Sequence, residues 1–355
     1  MHFGVLELAT RIAARSVTEQ GMGHDLSWAG PPLLAQQMPR LQVTAAAAHL
    51  HHLDTSHYSP SFGRMDEKRA IDGFGATALV GFALVLAINQ VVIKVTGGGF
   101  GPVFQAGLRS VLGLVVLLIW MRVRGVAIAL PPRVLIWGVG VGLLFSLEFL
   151  CLFIALDLTA VSRASIIFYS MPVWLAMAGH LLLPGERLSR FRLLGLALAM
   201  GGVILALADR NSGQASLMGD LMALLAALQW AAIALFIRIT PFSRIVPEMQ
   251  LLVQIAVSIP VLLGLSPLFG DLLRDPQPIH LIGLLFQSVF VISMGYLVWM
   301  RLMSIYRANS VASFSFLSPV LAVILGWLVL GETIGPAIWG ALGLVAAGVF
   351  LINWR

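Results

Sequence analysis

Two charged residues stand inside otherwise apolar stretches of this chain: Arg109 in GPVFQAGLRSVLGLVVLLIW and Glu148 in GLLFSLEFLCLFIAL. An ionisable group in hydrocarbon is costly, so each marks a position that handles a solute or a proton, or else serves as partner to the other. A guanidinium at such a place attracts a carboxylate or another anion. A carboxyl there binds a substrate amine or takes up a proton, which makes Glu148 the candidate proton-coupling group. The competing reading is a static Arg109–Glu148 ion pair that neutralises both charges and ties two helices together. Asn89 and Gln90 occupy a neighbouring apolar stretch. Counted at about 1.5 Å per residue from the predicted helix ends, all four groups come to similar depth and form one polar layer.

Later stretches carry Gln229 and Trp230, Gln254 and Ser258, and Ser293, Tyr296 and Trp299. These side chains are uncharged and predict a polar, aromatic half of a substrate pathway opposite the ionic half. Aromatic faces also take flat or cationic groups. Tyr296 and Trp299 fall near a predicted membrane interface, where such rings equally serve as anchors. Pro172 and Pro319 each remove a backbone hydrogen bond in mid-helix and are candidate hinges, with simple curvature as the alternative. Gly201, Gly202, Gly343 and Gly348 suit close helix packing. Glu186 and Glu332 read as solvated turn residues.

The elements that must position these groups are membrane helices. The chain has 355 residues, 59% of them hydrophobic and 11% charged, with a mean hydropathy of +0.94. A soluble domain carries about 25% charged residues, so a water-soluble enzyme is excluded. Spans of about 20 residues are read at 76–96, 102–121, 134–156, 161–183, 192–208, 217–237, 248–269, 281–301, 311–330 and 336–353. With the residues before the first span in the cytoplasm, fourteen Lys and Arg fall on the cytoplasmic side. The opposite side receives four, Lys94, Arg163, Arg210 and Arg274. That bias predicts both termini in the cytoplasm. It also accounts for the net charge of +6 without a nucleic-acid partner. The single cysteine, Cys151, permits no intramolecular disulfide and no cysteine metal cluster. No cofactor and no metal are expected.

Residues 1–64 differ from the rest, holding six of the eight histidines and no stretch able to span a bilayer. The cluster HLHHLDTSH matches no strong metal-ligand spacing. Two readings stand: a disordered extension, or upstream sequence that precedes the true initiator Met65.

Two stretches resemble each other. TAVSRASIIFYSMPVWLAMAGHLLLPGERLSRFRLLGLALAMGGVILAL begins at Thr159, and YRANSVASFSFLSPVLAVILGWLVLGETIGPAIWGALGLVAAGVFLIN begins at Tyr306. Both place a proline in a helix, then Gly-Glu (Gly185–Glu186, Gly331–Glu332), then a glycine-rich apolar helix. Five helices per copy is an odd number, so the second copy enters the membrane upside down. Inverted repeats suit alternating access, because two similar halves that exchange conformations open to either side. The expected fold is an all-α integral membrane protein of ten transmembrane helices in two inverted five-helix repeats, 74–208 and 217–353.

These two stretches, with INQVVIK, GPVFQAGLRSVLG and GDLMALLAALQWAAIALFIR, resemble the paired EamA-type domains of the drug/metabolite transporter superfamily over about residues 74–353. The resemblance implies a ten-helix carrier of the bacterial inner membrane that exports amino acids or other small metabolites. The partners are then a small-molecule metabolite, the lipid bilayer and, as coupling ion, protons. Glu148 is not part of the family pattern. A channel, or a non-transporting membrane sensor or assembly protein, is the alternative, while a membrane enzyme would need a catalytic constellation that the sequence does not display.

Overall fold

The computed structural model describes residues 71–183, 189–209, 215–306, 314 and 317–353. The reading of residues 1–64, Glu186 and Arg210 lie outside the described residues. So does the side chain of Tyr296.

The helices are α1 (Gly73–Thr96), α2 (Pro102–Arg124), α3 (Pro132–Leu158), α4a (Val161–Phe168), α4b (Met171–Leu182) and α5 (Arg190–Ala208). After these come α6 (Leu217–Ile239), α7 (Pro247–Leu265), α8a (Pro278–Phe286), a π-helical segment (Gln287–Gly295), α8b (Tyr296–Ile305), α9 (Leu317–Leu330) and α10 (Pro336–Asn353). Counting α4a with α4b, eight segments are long and apolar enough to cross a bilayer, and α9 and α10 are shorter apolar helices. Together they make an all-α membrane protein of ten passes in which each helix satisfies its own backbone, as hydrocarbon demands.

Local sequence starts and stops these helices. Proline occupies the first turn of α2, α3, α7 and α8a, where its missing N–H costs nothing. Asp72 caps α1 by accepting from Gly75 N at 2.7 Å, and Ser216 caps α6 by accepting from Gly219 N at 3.2 Å. Gly125, with φ +66°, ends α2 in the left-handed region that glycine adopts without strain.

Proline also corrects an expectation. Pro172 does not kink a continuous helix: α4 breaks at Tyr169–Ser170 and Pro172 is the second residue of α4b, in a first turn where no upstream helical carbonyl is deprived of a donor. Pro319 lies in α9, whose described residues begin at Leu317.

The contacts between helices exchange under the shift from helix n to helix n+5. α5 packs on α10 and α2 on α7; α3 packs on α6 as α8 packs on α1; α9 packs on α1 as α4 packs on α6. Glycines show the direction of these crossings. A Cβ on Gly195 would meet the Gly348 carbonyl oxygen at 2.7 Å, and one on Gly202 would meet that of Ala341 at 2.7 Å, so α5 and α10 run antiparallel. Between α2 and α7, Gly107 abuts Leu263 while Ser110 and Ser258 hydrogen-bond at 3.0 Å, again antiparallel. Equivalent helices of the two halves therefore run in opposite directions, which is what an inverted repeat requires.

Of the four packing glycines expected from sequence, Gly202 and Gly348 lie in the α5–α10 contact, with Gly195 as an added member. Gly201 and Gly343 have nothing within 4 Å of an added Cβ, because they point away from that contact. Gly348→Val should lower the detergent melting temperature, since overpacking of this kind costs about 1–3 kcal/mol. Gly343→Ala should leave it unchanged, and equal effects of the two would refute this account of the contact.

Candidate functional site

Arg109 lies seven residues into α2, and Glu148 ten residues before the end of α3. At about 1.5 Å per residue they sit roughly 10 and 15 Å from the end of the bundle where α1 turns into α2. Both are buried, 3% and 5% exposed. The Arg109 guanidinium carbon stands 4.0 Å over the ring centroid of Phe149 and 5.1 Å from that of Phe153. Glu148 is the opposite charge that acts on Arg109, yet among the described residues no ion pair joins them. The static pair weighed from sequence is therefore not formed. Instead, Arg109 Nη1 is buried with no hydrogen-bond partner.

The phenylalanines come from a spacing of four residues in FSLEFLCLF. Phe145, Phe149 and Phe153 stack up one face of α3, with centroids 4.6 and 6.2 Å apart. The π segment packs on α2, and its Ser288 Oγ lies 2.8 Å from the Leu284 carbonyl oxygen of its own helix and 3.2 Å from the Arg109 carbonyl oxygen. Ser293 Oγ donates to the Ser288 carbonyl oxygen at 3.1 Å, the five-residue reach of a π turn. Such segments recur at functional sites because they carry strain and a re-aimed side chain. Cys151, on the same helix, is a buried core residue.

A second group gathers where α4 breaks. Trp230 of α6 stacks on Phe168 at 5.0 Å and meets Tyr169 edge-on at 6.2 Å. The Tyr169 hydroxyl lies near Gln90 of α1 and Ser318 of α9. Two groups of the expected polar layer remain unsatisfied here: Asn89 Oδ1 and Gln90 Oε1 are buried without hydrogen-bond partners.

The remaining expected residues are not gathered into either group. Gln254 is buried and donates along its own helix to the Gln250 carbonyl oxygen at 3.0 Å. Ser258 serves the α2–α7 crossing, Gln229 is half-buried, and Trp299 stacks on Phe82 of α1 at 5.3 Å. Sequence reasoning missed Phe149, Phe153, Tyr169 and the π segment. Of these only the phenylalanine spacing left a legible signal.

At the α1–α2 end of the bundle, charged side chains join several helices. Arg163 is 1% exposed and Asp220 fully buried. The two are joined at 2.7 Å, with Thr159 Oγ1 donating to the same carboxylate at 3.1 Å and Arg163 Nη2 donating to the Ala206 carbonyl oxygen at 2.6 Å. Glu332 is not a solvated turn residue. Gly331, with φ +65°, turns the chain back, and the Glu332 carboxylate accepts from the Val161 and Ser162 amides at 2.6 and 3.0 Å. It thereby satisfies two orphan donors at the start of α4a. Lys94 Nζ donates to the Thr159 carbonyl oxygen at 2.9 Å, and Arg274 forks onto Asp157 at 2.5 and 2.8 Å. That hydrogen bonding holds the Arg274 guanidinium above its already high ordinary pKa, so the fork stays charged at any physiological pH.

Among the described residues no group of three or more His, Cys, Asp and Glu side chains is placed to hold a metal ion. What the site offers is a buried cationic edge and unpartnered amide oxygens among aromatic rings, in a bundle of inverted halves. The chain is 29% identical over 292 residues to a probable amino-acid metabolite efflux pump of Salmonella typhimurium, covering 79% of this chain and 94% of that one. It is 27% identical over 280 residues to an uncharacterized transporter, YvbV, of Bacillus subtilis, covering 78% and 91%. A solved crystal structure at 22% identity superposes with a TM-score of 0.56 over 78% of this chain and 96% of the other, and shows the same fold. The pattern of the EamA-like transporter family matches twice, at residues 73–208 and 217–354. A double match spanning both halves leaves one assignment: the chain is a multi-pass membrane protein and a member of the EamA-like transporter family.

Proposed function

We propose that this protein is a secondary transporter that moves an amino acid or related small metabolite across the bacterial inner membrane by alternating access, in the export direction, with both termini in the cytoplasm. Each five-helix repeat, 74–208 and 217–353, acts as one rocking half, and Pro172 and Pro319 act as hinges. The observation that carries this reading is the Arg109 guanidinium, buried within the span with an unpartnered Nη1. A charge so placed is expensive unless a solute completes it. Asn89, Gln90, Glu148, Gln229, Trp230, Gln254, Ser293 and Tyr296 complete the proposed pathway. The names of the relatives from Salmonella typhimurium and Escherichia coli, probable amino-acid metabolite efflux pumps, support the substrate class. The charge bias supports the orientation. Lys94, Arg163 and Arg274, which count against it, are each engaged with carbonyl oxygens or carboxylates.

Solute counterflow in proteoliposomes loaded with an amino-acid panel tests this reading. Saturable counterflow is expected for at least one solute; flux that neither saturates nor shows counterflow would indicate a channel. Glu148 is the proposed proton-coupling group, so Glu148→Gln should flatten the pH dependence of the flux that remains. An unchanged pH profile in that variant would remove Glu148 from the coupling role.

A further inference from the structure

Arg109 and Glu148 are both inside the bundle and within electrostatic reach of each other, yet they have not paired. In a low-dielectric interior two such charges attract strongly, so something holds them apart. The guanidinium carbon lies over the Phe149 ring at 4.0 Å from its centroid, with the Phe153 centroid at 5.1 Å. A ring face attracts a cation by its quadrupole, most strongly where water is excluded. The Nη1 of the same guanidinium has no hydrogen-bond partner. On the other side of Arg109 the backbone is held to the π segment through Ser288. Phe145 packs on Phe149 at 4.6 Å, so the ring cannot swing away without disturbing the ladder.

We propose that Phe149 and Phe153 are positioning residues of the solute site: they hold the Arg109 guanidinium on their rings rather than on Glu148, with Nη1 unpartnered, so the site binds a zwitterion between the two charges. The carboxylate of the solute pairs with Arg109 Nη1, and its ammonium group with Glu148. A monoanion leaves Glu148 uncompensated, and a monocation leaves Arg109 so. The site therefore rejects both by leaving a buried charge unpaired. This inference rests on the carrier reading above.

The test compares three labelled probes of one carbon skeleton, leucine, 4-methylpentanoate and 3-methylbutylamine, with a matching set of phenylalanine, 3-phenylpropionate and 2-phenylethylamine. Counterflow is measured for the full chain, Phe149→Leu and Phe149→Tyr, with thermal unfolding as the check on folding. The zwitterion is expected to be carried at least tenfold better than either deleted analogue. Phe149→Leu should raise its KM about tenfold and shrink that discrimination. Phe149→Tyr, which keeps a ring face under the guanidinium, should restore both to within about twofold. A merely structural role for Phe149 would lower the melting temperature and the rate without changing the preference among probes. Equal carriage of zwitterion and monoanion, or unchanged discrimination in Phe149→Leu, would overturn the inference while leaving the carrier reading intact. Absence of counterflow for every probe in folded protein would overturn the carrier reading, and the inference with it.

Discussion

Arg109→Gln should weaken the apparent affinity in counterflow about ten- to a hundredfold and at the same time raise the melting temperature of the protein in detergent. The two signs follow from one observation. The guanidinium is 3% exposed, its Nη1 has no partner, and no described carboxylate pairs with it. A buried charge without compensation costs the folded state several kcal/mol, so replacing it with a neutral amide of similar length relieves the fold. Part of that gain is offset by the lost cation–π contact with Phe149, worth about 1–2 kcal/mol in a desolvated site. The same substitution removes the charge-assisted hydrogen bonds to the solute. At about 1.5–3 kcal/mol apiece these account for a loss of ten- to a hundredfold in apparent affinity. Arg109→Lys separates the contributions, since it keeps the charge but not the planar fork, and should retain partial transport with weaker binding. Measuring transport and melting temperature on one preparation decides the matter. Lower stability with intact counterflow would show Arg109 to be structural.

Asp220→Ala should behave in the opposite way, lowering the melting temperature on the order of 10 °C, because the buried Arg163 loses its close partner and keeps only the more distant Asp209 carboxylate at 3.9 Å, at a cost of about 3–5 kcal/mol. Asp220 receives the Arg163 fork at 2.7 and 3.3 Å and the Thr159 hydroxyl at 3.1 Å. It joins α6 of the second half to α4a of the first. Replacing both partners together, Arg163→Met with Asp220→Leu, should recover most of the lost stability, since apolar side chains of similar volume substitute well for a buried ion pair. In that double variant the α1–α2 end of the bundle loses its polar lock but keeps its packing. Thermal unfolding of the two single variants and the double variant closes the cycle. A single variant with wild-type stability would mean that the pair contributes nothing net. The contrast with Arg109 is instructive: of two arginines buried to a similar degree, Arg163 is paired with a carboxylate and Arg109 has an Nη1 with no hydrogen-bond partner.

Much of the architecture was legible because hydrocarbon imposes a simple length rule. The expected spans at 102–121, 192–208, 217–237 and 336–353 fall on α2, α5, α6 and α10 to within a turn. Less was legible where chain geometry depends on the neighbour. Pro172 looked like a mid-helix kink because the stretch 161–183 is continuously apolar, whereas the chain breaks two residues earlier, at Tyr169–Ser170. Hydropathy does not distinguish a broken helix from a whole one. Glu332 looked solvated because it follows a glycine in a turn, and its partners, Val161 and Ser162, lie 171 and 170 residues away.

Composition and periodicity by themselves determined the solvent of this chain, the number of its passes, the inverted duplication and the two residues, Arg109 and Glu148, whose charge needs a reason. They did so because each depends only on local apolar length, on parity, or on a residue's own cost in hydrocarbon. Tertiary structure alone decided which charges meet. A helical pattern shows which residues share a face, but not how that face is rotated against a neighbour or where two helices cross. Those rotations place Asp220 on Arg163, and Phe149 rather than the Glu148 carboxylate against Arg109. On that choice rests the difference between a structural ion pair and an open site.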